Sequence, residues 1–142
     1  MAHPIEHAES SVKTWGGKIE DYLPMHNWLD ETKSWICYST HRMFRHHAEG
    51  IFEMEKIFGP SFVNSDGKTV YTRYVGEQHV REDCNGYVPT AKEWIMALES
   101  KERPMWMIRT IYNKKLNELN TIIKLEDILR EDNQSDATET NS

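Results

Sequence analysis

The chain has 142 residues, of which 38% are hydrophobic and 28% charged, as is typical of one globular domain. Its formal net charge of -6 leaves no basic surface for phosphate backbones, so we expect no nucleic-acid partner. No stretch approaches about 18 apolar residues and the opening residues form no signal segment, so we expect no membrane partner. Two cysteines without a CxxC motif favour reduced thiols and a cytoplasmic location.

The first half of the chain predicts three helices. Pro4 suits the first turn of an opening helix, which a pair of glycines then ends. We expect a second helix over residues 24–38, which begin with proline. A third is expected over residues 39–59, which begin with a capping hydroxyl residue and end with glycine.

The second half changes character. The segment over about residues 61–75 is rich in β-branched and aromatic side chains on both sides of a central Asp-Gly pair, which predicts a β-hairpin. A short helix is expected to begin at Gly76. Thr90 and Glu93 have the spacing of a capping box, which predicts the start of a further helix.

The C-terminal part predicts a long helix over about residues 104–130, followed by an acidic, disordered tail over residues 131–142. The predicted fold is therefore mainly α, one compact domain over residues 1–130 with one small β-hairpin and a long C-terminal helix. The apolar stripe of that helix favours packing against a second copy or another protein, and hence a homo-oligomer or protein partner. The alternative is that the helix folds back over the first one.

The densest group of candidate site residues lies in "HRMFRHH", with two adjacent histidines. On a continuous helix, His47 falls in the middle of the apolar face, and His46 lies about 100° round, toward solvent or a cleft. Arg42 and Arg45 beside them suit a phosphate or carboxylate ligand. The alternative is that both arginines pair with the glutamates that follow on the same helix.

A second group lies in "GEQHVRED". His79 and Asp83 are spaced i, i+4, so they share one face of a helix, and Glu82 lies near that face. His26 and Asp30 repeat the same spacing on the second helix. Imidazole and carboxylate ligands suit zinc, manganese or iron, and helices that each direct such groups inward form the metal sites of helical bundles.

We therefore predict a divalent transition metal bound by His47, His79 and Asp83, with His46 or Glu82 as general acid or base. The two arginines would hold an anionic substrate, a phosphorylated or nucleotide-like small molecule, and the reaction would be metal-dependent hydrolysis. The alternative is that the inward histidine is a hydrogen-bonded core residue and that the other groups are ordinary surface pairs.

The strings "HRMFRHHAEGIF", "NSDGK" and "TRYVGEQHVREDC" resemble a small family of uncharacterised proteins of bacteria and bacteriophages, over about residues 3–106. The resemblance implies no established activity. It implies a prokaryotic cytoplasm, or the host cytoplasm for a phage protein, and the chain departs from the family in its extension from about residue 109. The rival to a hydrolase is a non-enzymatic accessory protein that binds or sequesters a small molecule or a host protein.

Overall fold

A computed structural model describes residues 3–100, 102–107 and 129. The α-helices are α1 Pro4–Trp15, α2 Ile19–Asp30, α3 Ala48–Phe58, α4 Thr72–Asp83 and α5 Ala91–Glu99. Short 3-10 helices span Glu31–Ser34, Ser39–Phe44 and Met105–Met107. Strands β1 Ser61–Val63 and β2 Thr69–Tyr71 form an antiparallel pair. These elements confirm the mainly helical fold with one small β-hairpin.

Most of the predicted C-terminal helix and all of the predicted tail lie outside the described residues. The long helix, its partner and the disordered tail therefore stay predictions. Among the residues that the structure does describe, no helix combines the length and the apolar character needed to span a membrane.

Helix α2 begins and ends earlier than predicted. The carboxylate of Asp21 accepts a hydrogen bond from the backbone N–H of Lys18 at 2.8 Å, which satisfies an otherwise unpaired donor at the start of the helix. The helix begins at Ile19, so Pro24 lies inside α2 and the predicted start at Pro24 is wrong. The helix ends at Asp30, where the chain tightens into a 3-10 turn, and the predicted end near residue 38 is also wrong.

The predicted third helix is broken in the middle. The chain forms a 3-10 helix over Ser39–Phe44, and His47 then has an extended backbone with φ −158° and ψ 170° before α3 begins. The side chain of His47 caps α3 by accepting a hydrogen bond from the N–H of Gly50 at 2.9 Å. The expectation that His46 faces solvent or a cleft depended on a continuous helix and is wrong, because His46 is fully buried.

A glycine in the first turn of α3 allows this break to lie close to the helix. A Cβ atom at Gly50 would overlap the backbone carbonyl oxygen of Arg45, so only glycine leaves room for the preceding segment. The N–H of Ala48 donates to the carbonyl of Pro89 at 2.9 Å, which ties the start of α3 to the chain before α5. These contacts hold the backbone of His46 next to the first turn of α3.

The hairpin leads directly into α4. Phe62 pairs with Val70 across the two strands, and the turn contains Gly67 at φ +79°, in agreement with the predicted hairpin. Helix α4 begins at Thr72, immediately after β2, so the predicted start at Gly76 is wrong. The capping box before α5 is confirmed by the reciprocal hydrogen bonds between Thr90 and Glu93.

Helix α4 is the central element, in contact with α1, α2, α3 and β2. Two apolar clusters form the core. The first consists of Ala8, Tyr22, Met25, Leu29, Met54, Val70 and Val75, and the second of Ile51, Val80, Cys84, Trp94, Ala97 and Met107. At about 100° per residue, His79 and Asp83 lie on α4 between Val75 of the first cluster and Val80 of the second. A polar site thus occupies the buried face of α4 between two apolar clusters.

We expect Gly50→Ala to lower the free energy of unfolding by at least about 2 kcal/mol, because the new methyl group meets backbone and cannot be accommodated by a rotamer change. Gly76→Ala is the matched control. Its Cβ would lie 2.8 Å from Cε of Met54, the mobile end of a flexible side chain, and 3.1 Å from Cγ2 of Ile51. Because it meets side chains and not backbone, we expect a smaller loss, of about 1 kcal/mol. Chemical denaturation of both variants measures the difference, and equal losses would contradict this account of the break before α3.

Candidate metal centre

Four buried side chains bring potential metal ligands to one point. Asp30 is the last residue of α2, His46 lies just before α3, and His79 and Asp83 lie one turn apart on α4. None of the four is more than 5% exposed, and one ligand atom from each lies within 4.8 Å of all the others. This His/Asp cluster can hold a metal ion.

The distances within the His/Asp cluster fit a tetrahedral ion. Nε2 of His46 lies 3.1 Å from Nε2 of His79, 3.0 Å from Oδ2 of Asp83 and 3.4 Å from Oδ1 of Asp30. Nε2 of His79 lies 3.3 Å from Oδ1 of Asp30 and 3.2 Å from Oδ2 of Asp83. Ligands bound tetrahedrally at about 2.0–2.1 Å are separated by about 3.3 Å. Five of the six separations are therefore compatible with a common metal position, and the sixth, between the two carboxylates, is at most 4.8 Å.

Hydrogen bonds alone explain this arrangement poorly. Nε2 of His46 carries at most one proton, yet it faces three ligand atoms at 3.0 to 3.4 Å. One N–H group points in one direction in the ring plane and satisfies one acceptor well. A cation at the centre would satisfy all four groups at once. The two imidazoles and two carboxylates, with no thiolate among them, suit zinc, manganese or iron.

A buried hydrogen-bond chain orients His79. Its Nδ1 lies 2.9 Å from Nδ1 of His26, whose Nε2 lies 2.8 Å from the hydroxyl of Ser11. That hydroxyl donates in turn to Oε1 of Gln78 at 2.7 Å. Burial, followed by the neighbouring imidazoles of His79 and His7, lowers the pKa of His26 to about 2, so its ring is neutral.

The neutral ring of His26 determines which group donates and which accepts in each of these hydrogen bonds. When Nδ1 of His79 donates to Nδ1 of His26, the remaining proton of His26 is on Nε2 and donates to Ser11. His79 then presents the lone pair of Nε2 to the His/Asp cluster, which is the tautomer that a metal requires. Such partners hold a metal-binding histidine in orientation and raise its basicity.

Asp83 is held as a carboxylate by cationic neighbours. Arg42, which is 1% exposed, donates to the backbone carbonyl of Asp83 at 2.9 Å and places Nη2 3.4 Å from its Oδ1. Burial alone would raise the pKa of Asp83, but its contacts with His46, His7 and His79 keep that pKa well below the usual range. Asp83 is therefore ionised and available to a cation.

His7 of α1 is a further member of the site. Its ring stacks on that of His79 with centroids 3.7 Å apart, and its two nitrogens each lie 3.3 Å from a carboxylate oxygen, of Glu82 and of Asp83. Burial alone would lower the pKa of His7, but these two carboxylates raise it to about 9. The two carboxylates therefore favour the protonated form of His7.

Of the three ligands predicted from the sequence, His79 and Asp83 meet in the His/Asp cluster and His47 does not. His47 caps α3 through Nδ1, and its Nε2 lies 3.0 Å from the carbonyl oxygen of Phe44, to which it donates. Both of its nitrogens are thus engaged by backbone. The adjacent His46, predicted as an acid or base, lies in the cluster instead. The extended backbone of His47 interrupts the helix, so that the side chain of His46 points into the cluster and that of His47 does not.

The sequence patterns indicated Asp30 only weakly as a site residue and did not indicate His7. Asp30 was noticed only as half of the i, i+4 pair with His26, which an exposed helix also explains. His7 was missed, although it forms a similar i, i+4 pair with Ser11 on α1. The shared signal is a polar pair one turn apart on three different helices, which only their packing brings together.

The two arginines are bound within the protein. Arg42 is buried against Asp83, as described above. Arg45 donates to the carbonyl of Trp28 at 2.6 Å and to the carboxylate of Glu31 at 2.8 Å, with its guanidinium 4.1 Å from the ring centroid of Trp28. Within the described residues neither arginine pairs with a glutamate of α3, so the alternative pairing suggested by the sequence is wrong, and the predicted binding of an anion stays a prediction.

Glu82 lies at the outer edge of the site. Its side chain is 33% exposed, and it accepts from the amide of Gln78 at 2.6 Å and contacts His7. It borders a surface cavity of about 490 Å³ between α1 and α4, also lined by Ser10, Thr14, Trp15, Tyr74, Glu77, Gln78 and Arg81. Glu82 is not one of the four residues of the His/Asp cluster.

Residues 2–107 match the family described as "Domain of unknown function (DUF6915)", so the chain belongs to this family. The match includes every residue of the site and agrees with the predicted membership of an uncharacterised family. No curated protein and no solved structure matches the chain.

We expect His26→Phe to weaken zinc binding by about 10- to 100-fold, because His79 would lose the partner that fixes its tautomer. His41→Phe is the matched control. His41 is also fully buried and its ring lies 5.3 Å from that of His46, but its Nδ1 contacts the hydroxyl of Thr32, not a member of the cluster. Competition with a chromophoric chelator measures both affinities. Equal affinities for the two variants would contradict the orienting role of His26.

Proposed function

We propose that this member of the family binds one divalent transition metal ion through Asp30, His46, His79 and Asp83, and that the metal serves the hydrolysis of an anionic small molecule. The observation that carries the proposal is the agreement of five distances between ligand atoms, from 3.0 to 3.4 Å, with one tetrahedral position. Zinc, manganese and iron all suit this set of nitrogen and oxygen ligands.

The chemistry of the ligands favours hydrolysis. Structural zinc sites commonly contain cysteine, whereas hydrolytic centres use histidines and carboxylates. A metal in such a centre lowers the pKa of bound water and polarises a carbonyl or phosphoryl oxygen. Glu82 is the candidate general acid or base, because it lies at the partly exposed edge of the site in contact with His7.

Charge around the His/Asp cluster favours an anionic substrate. A divalent metal offsets the charges of the two aspartates, and the guanidinium of Arg42 and the imidazolium of His7 lie directly beside them. Excess positive charge in a buried site attracts anions more strongly than the same charge in water. A phosphorylated or nucleotide-like small molecule would meet this requirement.

Enclosure of the cluster favours a second function. With four protein ligands, none more than 5% exposed, the site resembles a closed structural metal centre. The metal would then join α2, α4 and the segment before α3 in a non-enzymatic binding or accessory protein. Both functions require the bound metal, and only the hydrolase would turn over a substrate.

We expect the purified protein to contain about one transition metal per chain, measured by inductively coupled plasma mass spectrometry. His46→Ala and His79→Ala should lose it, since each removes one of the two nitrogen ligands. His47→Ala is the matched control and should retain the metal, because both ring nitrogens of His47 bind backbone groups outside the His/Asp cluster. A wild-type protein free of metal after growth and loading with zinc, manganese and iron would contradict the site.

We expect the metal-loaded protein to hydrolyse p-nitrophenyl phosphate or its bis ester, and expect chelator treatment or His79→Ala to abolish that turnover. The unfolding temperature should rise when the metal is restored, because the ion binds the folded state. A metal-dependent rise in unfolding temperature without turnover of either ester would reject the hydrolase and favour the structural function.

A further inference from the structure

We propose that Asp30 is the displaceable ligand of the metal and that an oxyanion of the substrate takes its place, on the side of the site marked by Lys33. The inference rests on the proposed metal-dependent hydrolysis and adds to it the position at which substrate binds. It also explains how a cluster with four protein ligands can be catalytic, since a catalytic metal needs one exchangeable position.

The side chains of His79 and Asp83 are each held by a buried partner that is independent of the metal. These partners are His26 for Nδ1 of His79 and Arg42 for the carboxylate and backbone carbonyl of Asp83. His46 is held through its backbone, whose carbonyl accepts from the indole N–H of Trp94 at 2.8 Å, while Nδ1 of its ring makes no hydrogen bond within the described residues. Moving the side chain of His79 or Asp83 would leave a buried donor or acceptor without a partner.

Asp30 lacks such a partner. Its Oδ1 faces only His46 and His79, and its Oδ2 makes no hydrogen bond within the described residues. The ammonium of Lys33 lies 3.5 Å from that oxygen. The two contacts of Asp30 at 3.3 and 3.4 Å are also the longest of the five in the cluster. The metal position is therefore the main attachment of this carboxylate.

The backbone around Asp30 permits it to move. Asp30 ends α2, and the next residues form a single 3-10 turn, Glu31–Ser34. Its side chain is the least buried of the four, at 5% against 0 to 1% for the others. His79 and Asp83, in contrast, lie within the last two turns of the central helix α4, between two apolar clusters. A rotation of the Asp30 side chain toward Lys33 would disturb the least structure.

Exchange of Asp30 for an oxyanion keeps the number of anionic ligands on the metal. A phosphate oxygen and a carboxylate oxygen are both hard anionic ligands, so the metal keeps the same kind of ligand after the exchange. Lys33, whose side chain is 28% exposed, contacts Asp30 now and would pair with the released carboxylate or with the bound anion. A neutral ligand would leave the metal with one anionic ligand fewer, so the exchange favours a small anionic ester.

The test uses cobalt as the metal and inorganic phosphate as the probe, with Asp83→Ala as the matched control for Asp30→Ala. Both variants remove one carboxylate from the same cluster. We expect Asp30→Ala to retain about one cobalt per chain and Asp83→Ala to lose it. We also expect phosphate to shift the visible spectrum of cobalt at a lower concentration in Asp30→Ala than in the wild type, because the position is already open.

Two further variants make the result decisive. Asp30→Asn keeps the volume of the side chain and guards against unfolding, which circular dichroism monitors. Lys33→Gln in the Asp30→Ala background should raise the phosphate concentration needed for the spectral shift. Loss of cobalt from both Asp30 variants to the same degree as from Asp83→Ala would overturn the proposal, as would a spectrum that phosphate leaves unchanged. A wild-type protein that binds no cobalt would instead reject the metal site itself.

Discussion

The burial of two aspartate carboxylates beside one another is the constraint on which the rest of the structure depends. Asp30 and Asp83 are at most 5% exposed, and two like charges taken out of water repel each other and lose hydration. The guanidinium of Arg42, beside Asp83, and the ammonium of Lys33, beside Asp30, supply compensating charge. Helix α4 is therefore central for two reasons, since it carries half of this polar cluster and joins both apolar clusters.

Incomplete hydrogen bonding around the site follows from the same constraint. Most buried side-chain nitrogen and oxygen atoms that lack a hydrogen bond among the described residues belong to the cluster or its neighbours: His7 Nε2, Asp30 Oδ2, His41 Nε2, Arg42 Nε and Nη2, His46 Nδ1 and Asp83 Oδ1. Some of these atoms make longer ion-pair contacts instead, as His7 and Arg42 do with Oδ1 of Asp83. Buried polar atoms without hydrogen bonds are rare in folded proteins, and such a concentration is typical of a functional site, not of a core built for stability alone.

Local signals predicted the parts of the fold that depend on neighbouring residues. The Asp-Gly turn of the hairpin and the Thr90–Glu93 capping box require only short-range geometry, and the i, i+4 spacing of His79 and Asp83 placed both on one helical face. The exchange of roles between His46 and His47 was not predictable in this way. It depends on a break before α3, which Gly50 permits through a contact with the backbone of Arg45. A helical wheel assumes the continuity that this contact removes.

The order of the ligands along the chain has a consequence for folding. Asp30 and Asp83 are the first and last ligands, so an ion bound to both closes a loop over residues 30–83 that contains α3 and the hairpin. A cross-link of this span reduces the conformational entropy of the unfolded chain, by about 4 kcal/mol at 25 °C in the treatment used for disulfides. The ion would thus stabilise the folded state of the middle of the chain, and the concentration of free metal would determine the stability of α3 and the hairpin.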